Sequence, residues 1–213
     1  MKRKKASFTG TRPIYTGNPS IVPGGFNLDR DNQRFNEGDY IPGGTLAIRD
    51  EEKRTVQVIK TAKVVDIDAE NAKILDLHVD EFYAPCFNVG DSVLKAGAIS
   101  GTFAAAPTIE KIEENGNLYR ITLSAAITGL AKGDVIEEVV KDASGNAAER
   151  GKANSLTLSD VEVREFETSM DVTADTMQYA LYEKRVPPIP ASQKDATGFM
   201  LAGNPHVKLT KSH

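Results

Sequence analysis

Cysteine, histidine and tryptophan are scarce in this 213-residue chain, which holds one Cys, three His and no Trp. The single Cys86 excludes an internal disulfide framework and any zinc site that is built from cysteines. Two of the histidines, His206 and His213, lie at the C-terminal end, which leaves His78 for the body of the chain. A Ser-His-Asp triad needs a histidine held beside a nucleophile, and acids flank His78 instead. The residue inventory therefore argues against nucleophilic catalysis.

Long apolar runs are absent as well. No apolar stretch approaches about 18 residues, the length that indicates a transmembrane helix. Polar residues follow the basic Lys2–Lys5 segment, whereas a secretory signal requires an apolar stretch after its positive charges. We therefore expect no membrane partner, and we expect the chain to be made and kept in a reducing cytoplasm.

Helical periodicity is weak, and short strands separated by turns predominate from residue 45 onward. In Lys73–Asp80, apolar and polar residues alternate with a period of two, as in a strand with one buried face. Asn115-Gly116 favours the left-handed turn of a β-hairpin. The predicted fold class is all-β, a small barrel or sandwich built from short antiparallel strands. The predicted strands are Thr45–Arg49, Thr55–Lys60, Lys63–Asp68, Lys73–Asp80, Thr108–Glu114, Leu118–Ser124, Val135–Val140 and Thr157–Phe166.

One motif recurs three times: an apolar residue, two variable residues, Gly-Asp, one variable residue and a second apolar residue. Gly can adopt a positive φ, and Asp can accept hydrogen bonds from nearby backbone N–H groups. We interpret the motif as a sharp turn that leads into a strand. The alternative is that its aspartates bind a metal or act as catalytic acids. The three copies are Phe35–Ile41, Phe87–Val93 and Leu130–Ile136.

Both ends of the chain differ from this strand-rich body. Residues 1–44 hold 11 of the 27 Gly and Pro residues and five of the fourteen aromatic residues. For residues 1–37 we predict an extended arm that docks on its own body or on a neighbour. Residues 38–190 form the predicted single β domain, and residues 191–213 a polar C-terminal tail.

The end of the predicted domain contains the one candidate helix. Thr173–Arg185 fits a helix or a strand, and we assign it as a strand because its context is all-β. The following Pro187–Pro190 segment excludes regular structure. The predicted domain thus ends in a Pro-rich segment.

Charge is distributed unevenly along the chain. Residues 1–13 carry five positive charges and no acid, so the remaining residues sum to −9 within the overall charge of −4. A basic tip on an acidic body suits contact with an acidic surface or with a like neighbour. The alternative is a solvated tail that aids solubility.

Two segments resemble phosphate or calcium loops but lack required residues. Gly145–Ala153 has one residue too many between its glycines for a P-loop, and Ala153 replaces the magnesium-binding hydroxyl. A calcium loop that began at Asp29 would need glycine where Arg34 stands. Neither segment predicts a bound cofactor.

Cys86 and a pair of aspartates complete the search for reactive groups. Cys86 has no basic neighbour in sequence to lower its pKa, which indicates a buried or half-buried thiol. Asp66 and Asp68 lie on one face of a strand without a partner histidine, which indicates a solvated edge rather than a metal site. We therefore predict that the protein is not an enzyme and has no catalytic, cofactor-binding or metal-binding residues.

Binding of single-stranded nucleic acid is an alternative for a small β-barrel. Such barrels stack bases on aromatic residues within a basic groove, and Phe103 and Tyr119 are the candidates here. Basic residues do not interleave with them, and the acidic body has the wrong sign for phosphates. We therefore expect no specific nucleic-acid partner.

Several segments form a pattern through their order and spacing. They are Tyr15–Pro19, Gly38–Leu46, Val56–Val65, the Gly-Asp turns at Gly90 and Gly133, and Leu181–Pro190. Through these segments, over most of residues 14–190, the chain resembles head decoration proteins of tailed bacteriophages, the group called head fibre proteins. The basic Lys2–Lys5 segment and the tail after Ala191 lie outside the resemblance.

This resemblance implies a structural virion protein on the outer surface of an icosahedral head, made in the cytoplasm of a bacterial host. It implies a small β domain, assembly into homo-oligomers such as trimers, and attachment to the major capsid protein, which stabilises the shell. It brings no catalytic residues with it. The alternatives are another virion component of the neck or tail, and a small-barrel nucleic-acid-binding protein.

The attachment that we predict uses two extended segments. The arm before residue 38 and the Val186–Pro190 segment would pack against neighbouring copies and the shell, as in strand addition. Many equivalent weak contacts would then sum through multivalency.

Overall fold

The computed structural model describes residues 13–173 and 180–212, whose regular structure is almost entirely β. These residues contain no α-helix; their helical turns are 3-10 helices at Phe103–Ala105, Glu183–Arg185 and Ala191–Gln193. The all-β prediction is therefore confirmed.

The strands are short and are numbered in chain order. They are β1 (Phe26–Leu28), β2 (Tyr40–Ile41), β3 (Leu46–Asp50), β4 (Thr55–Val58), β5 (Thr61–Ile67), β6 (Ile74–Leu77), β7 (Val93–Lys95), β8 (Ile109–Asn115), β9 (Leu118–Leu123), β10 (Val135–Lys141), β11 (Ala147–Glu149), β12 (Ser155–Leu156), β13 (Val161–Glu162), β14 (Ser169–Met170), β15 (Ala180–Tyr182) and β16 (Lys208–Thr210).

Two sheets contain most of these strands, and one sheet of the molecule curls into a half-barrel. The larger sheet has the order β11-β10-β5-β6-β9-β8, with β7 also paired to β10. The smaller sheet has the order β12-β3-β4-β1-β14. Strands β2 and β13 form one further pair, and β15 and β16 form another. Pairing is antiparallel except for β1 with β4 and β15 with β16.

The hairpin predicted at Asn115-Gly116 is present. Asn115 of β8 pairs with Leu118 of β9 across the turn, and Gly116 has a φ of 61°. Tyr119, Ile121 and Leu123 of β9 are buried in the core, while Arg120 and Thr122 between them are partly exposed. The alternation visible in the sequence therefore sets which face of this strand is buried.

The strand predicted over Thr157–Phe166 is wrong as a single element. Only β13 lies within this segment and it pairs with β2, whereas β12 ends before the segment, at Leu156, and pairs with β3 in a separate sheet. Between them, the carboxylate of Asp160 accepts a hydrogen bond from Gly43 N at 2.8 Å. The chain bends here, so Leu158 packs against one core cluster while Val161 and Val163 pack in another.

The predicted strand over Thr173–Arg185 lies partly outside the described residues, which omit 174–179. In the described end of this segment, Ala180–Tyr182 form strand β15, which agrees with the prediction. Glu183–Arg185 form a 3-10 helix, which does not. Pro187–Pro190 has no helix or strand, as predicted.

The described part of the predicted arm, residues 13–37, lies on the protein's own body. Tyr15, Phe26 and Phe35 are all buried there, and β1 belongs to the smaller sheet. The guanidinium of Arg54 lies 4.2 Å from the centroid of the Phe26 ring. Of the two alternatives for this segment, docking on its own body therefore holds for residues 13–37, and additional packing against neighbouring copies stays a prediction.

The C-terminal segments belong to the body too. Val186 and Ile189, expected to face neighbouring copies, are buried in the same core cluster as Leu46. Leu201 and Leu209, from the predicted polar tail, are buried in that cluster as well. Residues 191–213 were predicted to be a polar tail because most of them are polar, although a few apolar residues among them belong to the core. The domain boundaries after residues 37 and 190 stay predictions.

Candidate binding cleft

A cleft of about 790 Å³ opens where several separate segments meet, between the loop after β1 and strand β10. Its walls come from residues 30–35, 90–92 and 138–141, with Phe103, Arg150 and residues 165–166. Its volume lies within the range of ordinary ligand pockets. Charged groups and three phenylalanine rings line it, so we take it as the candidate functional site.

Lys60 lies fully buried behind the cleft wall, with its side chain out of contact with solvent. Its Nζ donates hydrogen bonds to the Asp91 carboxylate at 2.7 Å, the Asn88 side-chain oxygen at 2.8 Å and the Arg34 carbonyl at 2.6 Å. The ring centroid of Phe35 lies 4.1 Å from the same atom. All three ammonium protons are thus used, which is what a buried cation requires.

The cleft contains two buried carboxylates, and each is bonded to a buried cation. Asp91 pairs with Lys60, and Glu138 accepts hydrogen bonds from Arg150 at 2.9 Å and from Gln33 at 3.0 Å. Burial raises the pKa of Asp91; Lys60 opposes this rise, and Glu138 adds to it. Neither carboxylate is therefore a free base.

Other cations of the cleft have no carboxylate partner within 4 Å among the described residues. Arg34 donates one hydrogen bond, to the Val89 carbonyl at 3.3 Å, and Lys141 has no ion pair. Arg150 is almost fully buried, and its Nε has no hydrogen-bond acceptor in the described structure. The cleft therefore offers the positive charge of Arg34 and Lys141 to a ligand.

A short loop at the rim of the cleft carries a strongly exposed aromatic ring. Phe166 is 82% exposed, the highest value among the large apolar residues described as exposed. The Arg30 guanidinium donates to the carbonyls of Arg164 and Glu165, each at 2.8 Å, and so anchors the loop. An exposed ring on an anchored loop is typical of a contact residue, since aromatic anchors are enriched at protein interfaces.

The three Gly-Asp motifs form the same turn, as the sequence analysis proposed. Each glycine has a positive φ, and each carboxylate accepts a hydrogen bond from the backbone N–H three residues earlier. The turns lead into β2, β7 and β10. The values are φ 77° and 2.6 Å for Gly38 and Asp39, φ 90° and 2.8 Å for Gly90 and Asp91, and φ 93° and 2.7 Å for Gly133 and Asp134.

Two of these turns also contact each other. The side-chain amide of Asn88 donates to the Asp39 carboxylate at 2.6 Å while its oxygen accepts from Lys60. One asparagine therefore joins the first turn, the second turn and the buried lysine. The turn aspartates act here as structural acceptors.

The other residues considered in the sequence lie outside the cleft. His78 is half-exposed and pairs with Asp80 at 3.1 Å. Cys86 is buried, as predicted, and burial raises the pKa of its thiol to about 12. The Asp66 carboxylate is mostly solvated, and Asp68 accepts hydrogen bonds from two backbone N–H groups of the next turn. No group of three or more His, Cys, Asp or Glu in the described ranges could hold a metal ion.

The two aromatic residues proposed for base stacking are separated by the fold. Phe103 lines the cleft, but Tyr119 is buried in the core and its hydroxyl donates to the Phe87 carbonyl at 3.2 Å. Tyr119 therefore cannot stack on a base, which corrects that part of the sequence analysis.

The sequence analysis missed the residues that build the cleft. Lys60, Glu138 and Arg150 were not singled out, and Phe166 was only the end of a predicted strand. Gln33 and Glu138, which hydrogen-bond in the cleft, lie 105 residues apart, so no local motif could bring them together. Arg34 had been noticed only as the residue that disrupts a calcium loop.

Comparison with protein-family models, with curated proteins and with solved structures finds no match to this chain. Among the residues that the structure describes, no helix is long and apolar enough to span a membrane.

Proposed function

We propose that this protein is a structural component of a bacteriophage particle, which decorates the outside of the head by binding the major capsid protein and stabilising the shell. The proposal starts from the sequence resemblance to head decoration proteins. It places the protein on the virion surface, after synthesis in the cytoplasm of the bacterial host, as a homo-oligomer.

The observation that carries this proposal is the exposed Phe166 ring at the rim of the cleft. The ring is 82% exposed on a loop that the Arg30 guanidinium anchors. Aromatic anchors of this kind are enriched at protein interfaces, which supports attachment to another protein. The two buried carboxylates of the cleft, Asp91 and Glu138, are each held in an ion pair inside the chain.

Quantitative mass spectrometry of gradient-purified particles tests the proposal. A head decoration protein bands with intact heads at many tens of copies or more per particle. A handful of copies per particle would instead assign it to the neck or tail. Recovery only in the soluble fraction would overturn the virion assignment.

Replacing Phe166 by Ser tests whether its loop contacts the shell. We expect Phe166→Ser to reduce the copies per head, because a buried aromatic anchor contributes strongly to an interface. The body should keep its thermal stability, since the ring is 82% exposed in the isolated chain. Phe199→Ser, at a ring that is 49% exposed elsewhere on the chain, is the matched control. Equal occupancy for the Phe166 variant and the wild type would exclude this loop as a contact.

A further inference from the structure

The cleft has an imbalance of charge once its internal pairs are set aside. Asp91 and Glu138 are neutralised by Lys60 and Arg150. The remaining charged groups of the lining are three cations, Arg30, Arg34 and Lys141, and two acids, Asp31 and Glu165. None of these five forms an ion pair within 4 Å in the described part of the chain. The cleft is therefore weakly positive within a body of charge −9.

An unused hydrogen-bond donor lies in the same place. The Arg150 side chain is 6% exposed, and its Nη groups bond to Glu138, Gln57 and the Asn32 carbonyl. Its Nε is buried and has no acceptor in the described structure. A donor that solvent does not reach is also out of reach of a carboxylate in the open cleft, so Arg150 acts here as the fixed counter-ion of Glu138.

The position of Arg34 is defined by a close approach to the backbone. A Cβ built on Gly90 would lie 1.8 Å from an Arg34 guanidinium nitrogen, so the guanidinium occupies the space above that glycine. One nitrogen donates to Val89 O, which leaves the other guanidinium donors for a ligand. This turn glycine therefore also makes room for a cation.

Apolar surface lies beside these cations. Phe103 and Phe166 both line the cleft, and Phe166 is largely exposed. A ligand that combines carboxylates with an apolar side chain would meet both kinds of surface at once. A long polyanion such as single-stranded DNA fits less well, because it would extend beyond the cleft over the acidic body, whereas a short acidic segment can stay within the cleft.

We propose that the cleft binds an acidic peptide segment of a partner protein. Its carboxylates contact Arg34 and Lys141, and an apolar side chain packs against Phe166. This inference rests on the proposed function only in its choice of a protein as the ligand.

Isothermal titration calorimetry of the full chain at low salt tests this assignment, with three capped pentapeptides as probes. These are EEFEE, its neutral analogue QQFQQ and its basic analogue KKFKK. We expect EEFEE to bind, QQFQQ to bind more weakly and KKFKK not to bind. The EEFEE affinity should fall as salt is added, because the contacting charges are partly exposed.

Two substitutions locate the binding. Arg34→Gln and Lys141→Gln each remove one cation of the cleft and should weaken EEFEE binding about fivefold to tenfold. Lys73→Gln, at an exposed lysine outside the cleft, should leave the affinity unchanged. Unchanged melting temperatures show that the variants are folded.

The following outcomes overturn the proposal. They are no EEFEE binding, binding that the cleft variants do not alter, and tighter binding of an eight-nucleotide oligothymidylate than of EEFEE. The last outcome would identify a nucleic-acid surface instead. This result can be separated from a failure of the proposed function. If the protein is abundant on heads but does not bind EEFEE, only the cleft assignment is refuted. If the protein binds EEFEE but is absent from particles, only the virion role is refuted.

Discussion

Lys60 and Asp91 form an ion pair that is almost wholly removed from water, with side-chain exposures of 0% and 2%. Removing two charges from water is unfavourable, so such a pair need not stabilise the fold relative to well-packed apolar residues. The folded state nevertheless requires both partners, because removing either one leaves the other charge buried and unpaired. The same residues also join the second Gly-Asp turn to the cleft wall.

Asp91→Asn should therefore destabilise the protein strongly. It leaves the Lys60 ammonium buried without its carboxylate, which costs about 3–5 kcal/mol. The matched control is Asp134→Asn, which alters the same position of the third turn, where the partner Lys95 is partly exposed. Urea unfolding should show a much smaller loss for the control. Equal losses would mean that the turn, rather than the buried pair, sets the cost.

Glu137 is the second residue with an unusual environment. It is completely buried, and neither carboxylate oxygen has a hydrogen-bond partner in the described structure. Burial raises its pKa to about 7; Glu149 adds to the rise, Lys152 opposes it and Glu138 adds slightly. Folding therefore favours the protonated, neutral form of the Glu137 side chain.

This raised pKa predicts a loss of stability with rising pH. Since the pKa is higher in the folded state than in the unfolded state, the favourable contribution is complete below about pH 4.5. It is lost as the pH rises to about 7, with a total change of roughly 3 kcal/mol. Glu137→Gln should flatten the free energy of unfolding over this window and leave the variant more stable than the wild type at pH 8. A wild-type pH dependence that survives the substitution would contradict this account.

At the scale of the element, the Gly-Asp turn explains how short strands begin. A positive φ at glycine and an Asp side chain that accepts a backbone N–H define the turn within four residues. Such local chemistry is readable in a sequence, which is why the turns and the Asn115-Gly116 hairpin were predicted. The apolar alternation after Thr157 was misread because it continues past a bend, with Leu158 in one core cluster and Val161 and Val163 in another.

Two alanine substitutions separate backbone strain from crowding in this turn. Gly133→Ala places a side chain at a φ of 93° with open space around it, so it should cost about 1–2 kcal/mol through strain alone. Gly90→Ala has a φ of 90° and must also displace the Arg34 guanidinium. We expect thermal unfolding to show a larger loss for Gly90→Ala, and Arg34→Ala in the Gly90→Ala background should recover the difference. Identical losses in the two single variants would show that Arg34 moves freely.

At the scale of the whole molecule, both ends of the described chain pack into the same hydrophobic core cluster. Tyr15 from the N-terminal side and Leu209 from the C-terminal side are buried in one cluster with Leu46 and Ile59. Segments that are far apart in sequence therefore complete each other's cores. A surface contact made by residues 13–37 would have to leave these cores intact.

Two deletions test this closure. Removing residues 1–37 takes Phe26 and Phe35 out of the core, and loss of each buried ring costs about 3–5 kcal/mol against a typical stability of about 5–15 kcal/mol. We expect that protein to show no cooperative unfolding by circular dichroism. Removing only residues 1–12 deletes five positive charges and no residue of the described cores, so cooperative unfolding should persist. A folded protein after the longer deletion would show that the segment is a separable arm.

The sequence by itself determined the all-β class, the three Gly-Asp turns and the Asn115-Gly116 hairpin, because each depends on residues within a few positions of one another. Only the tertiary structure decided the cleft, the partners of Lys60 and the docking of residues 13–37 and 191–212 on the body. Contacts such as Gln33 with Glu138 join residues 105 positions apart. Their side chains become neighbours only after separate strands have paired, and no local pattern specifies that pairing.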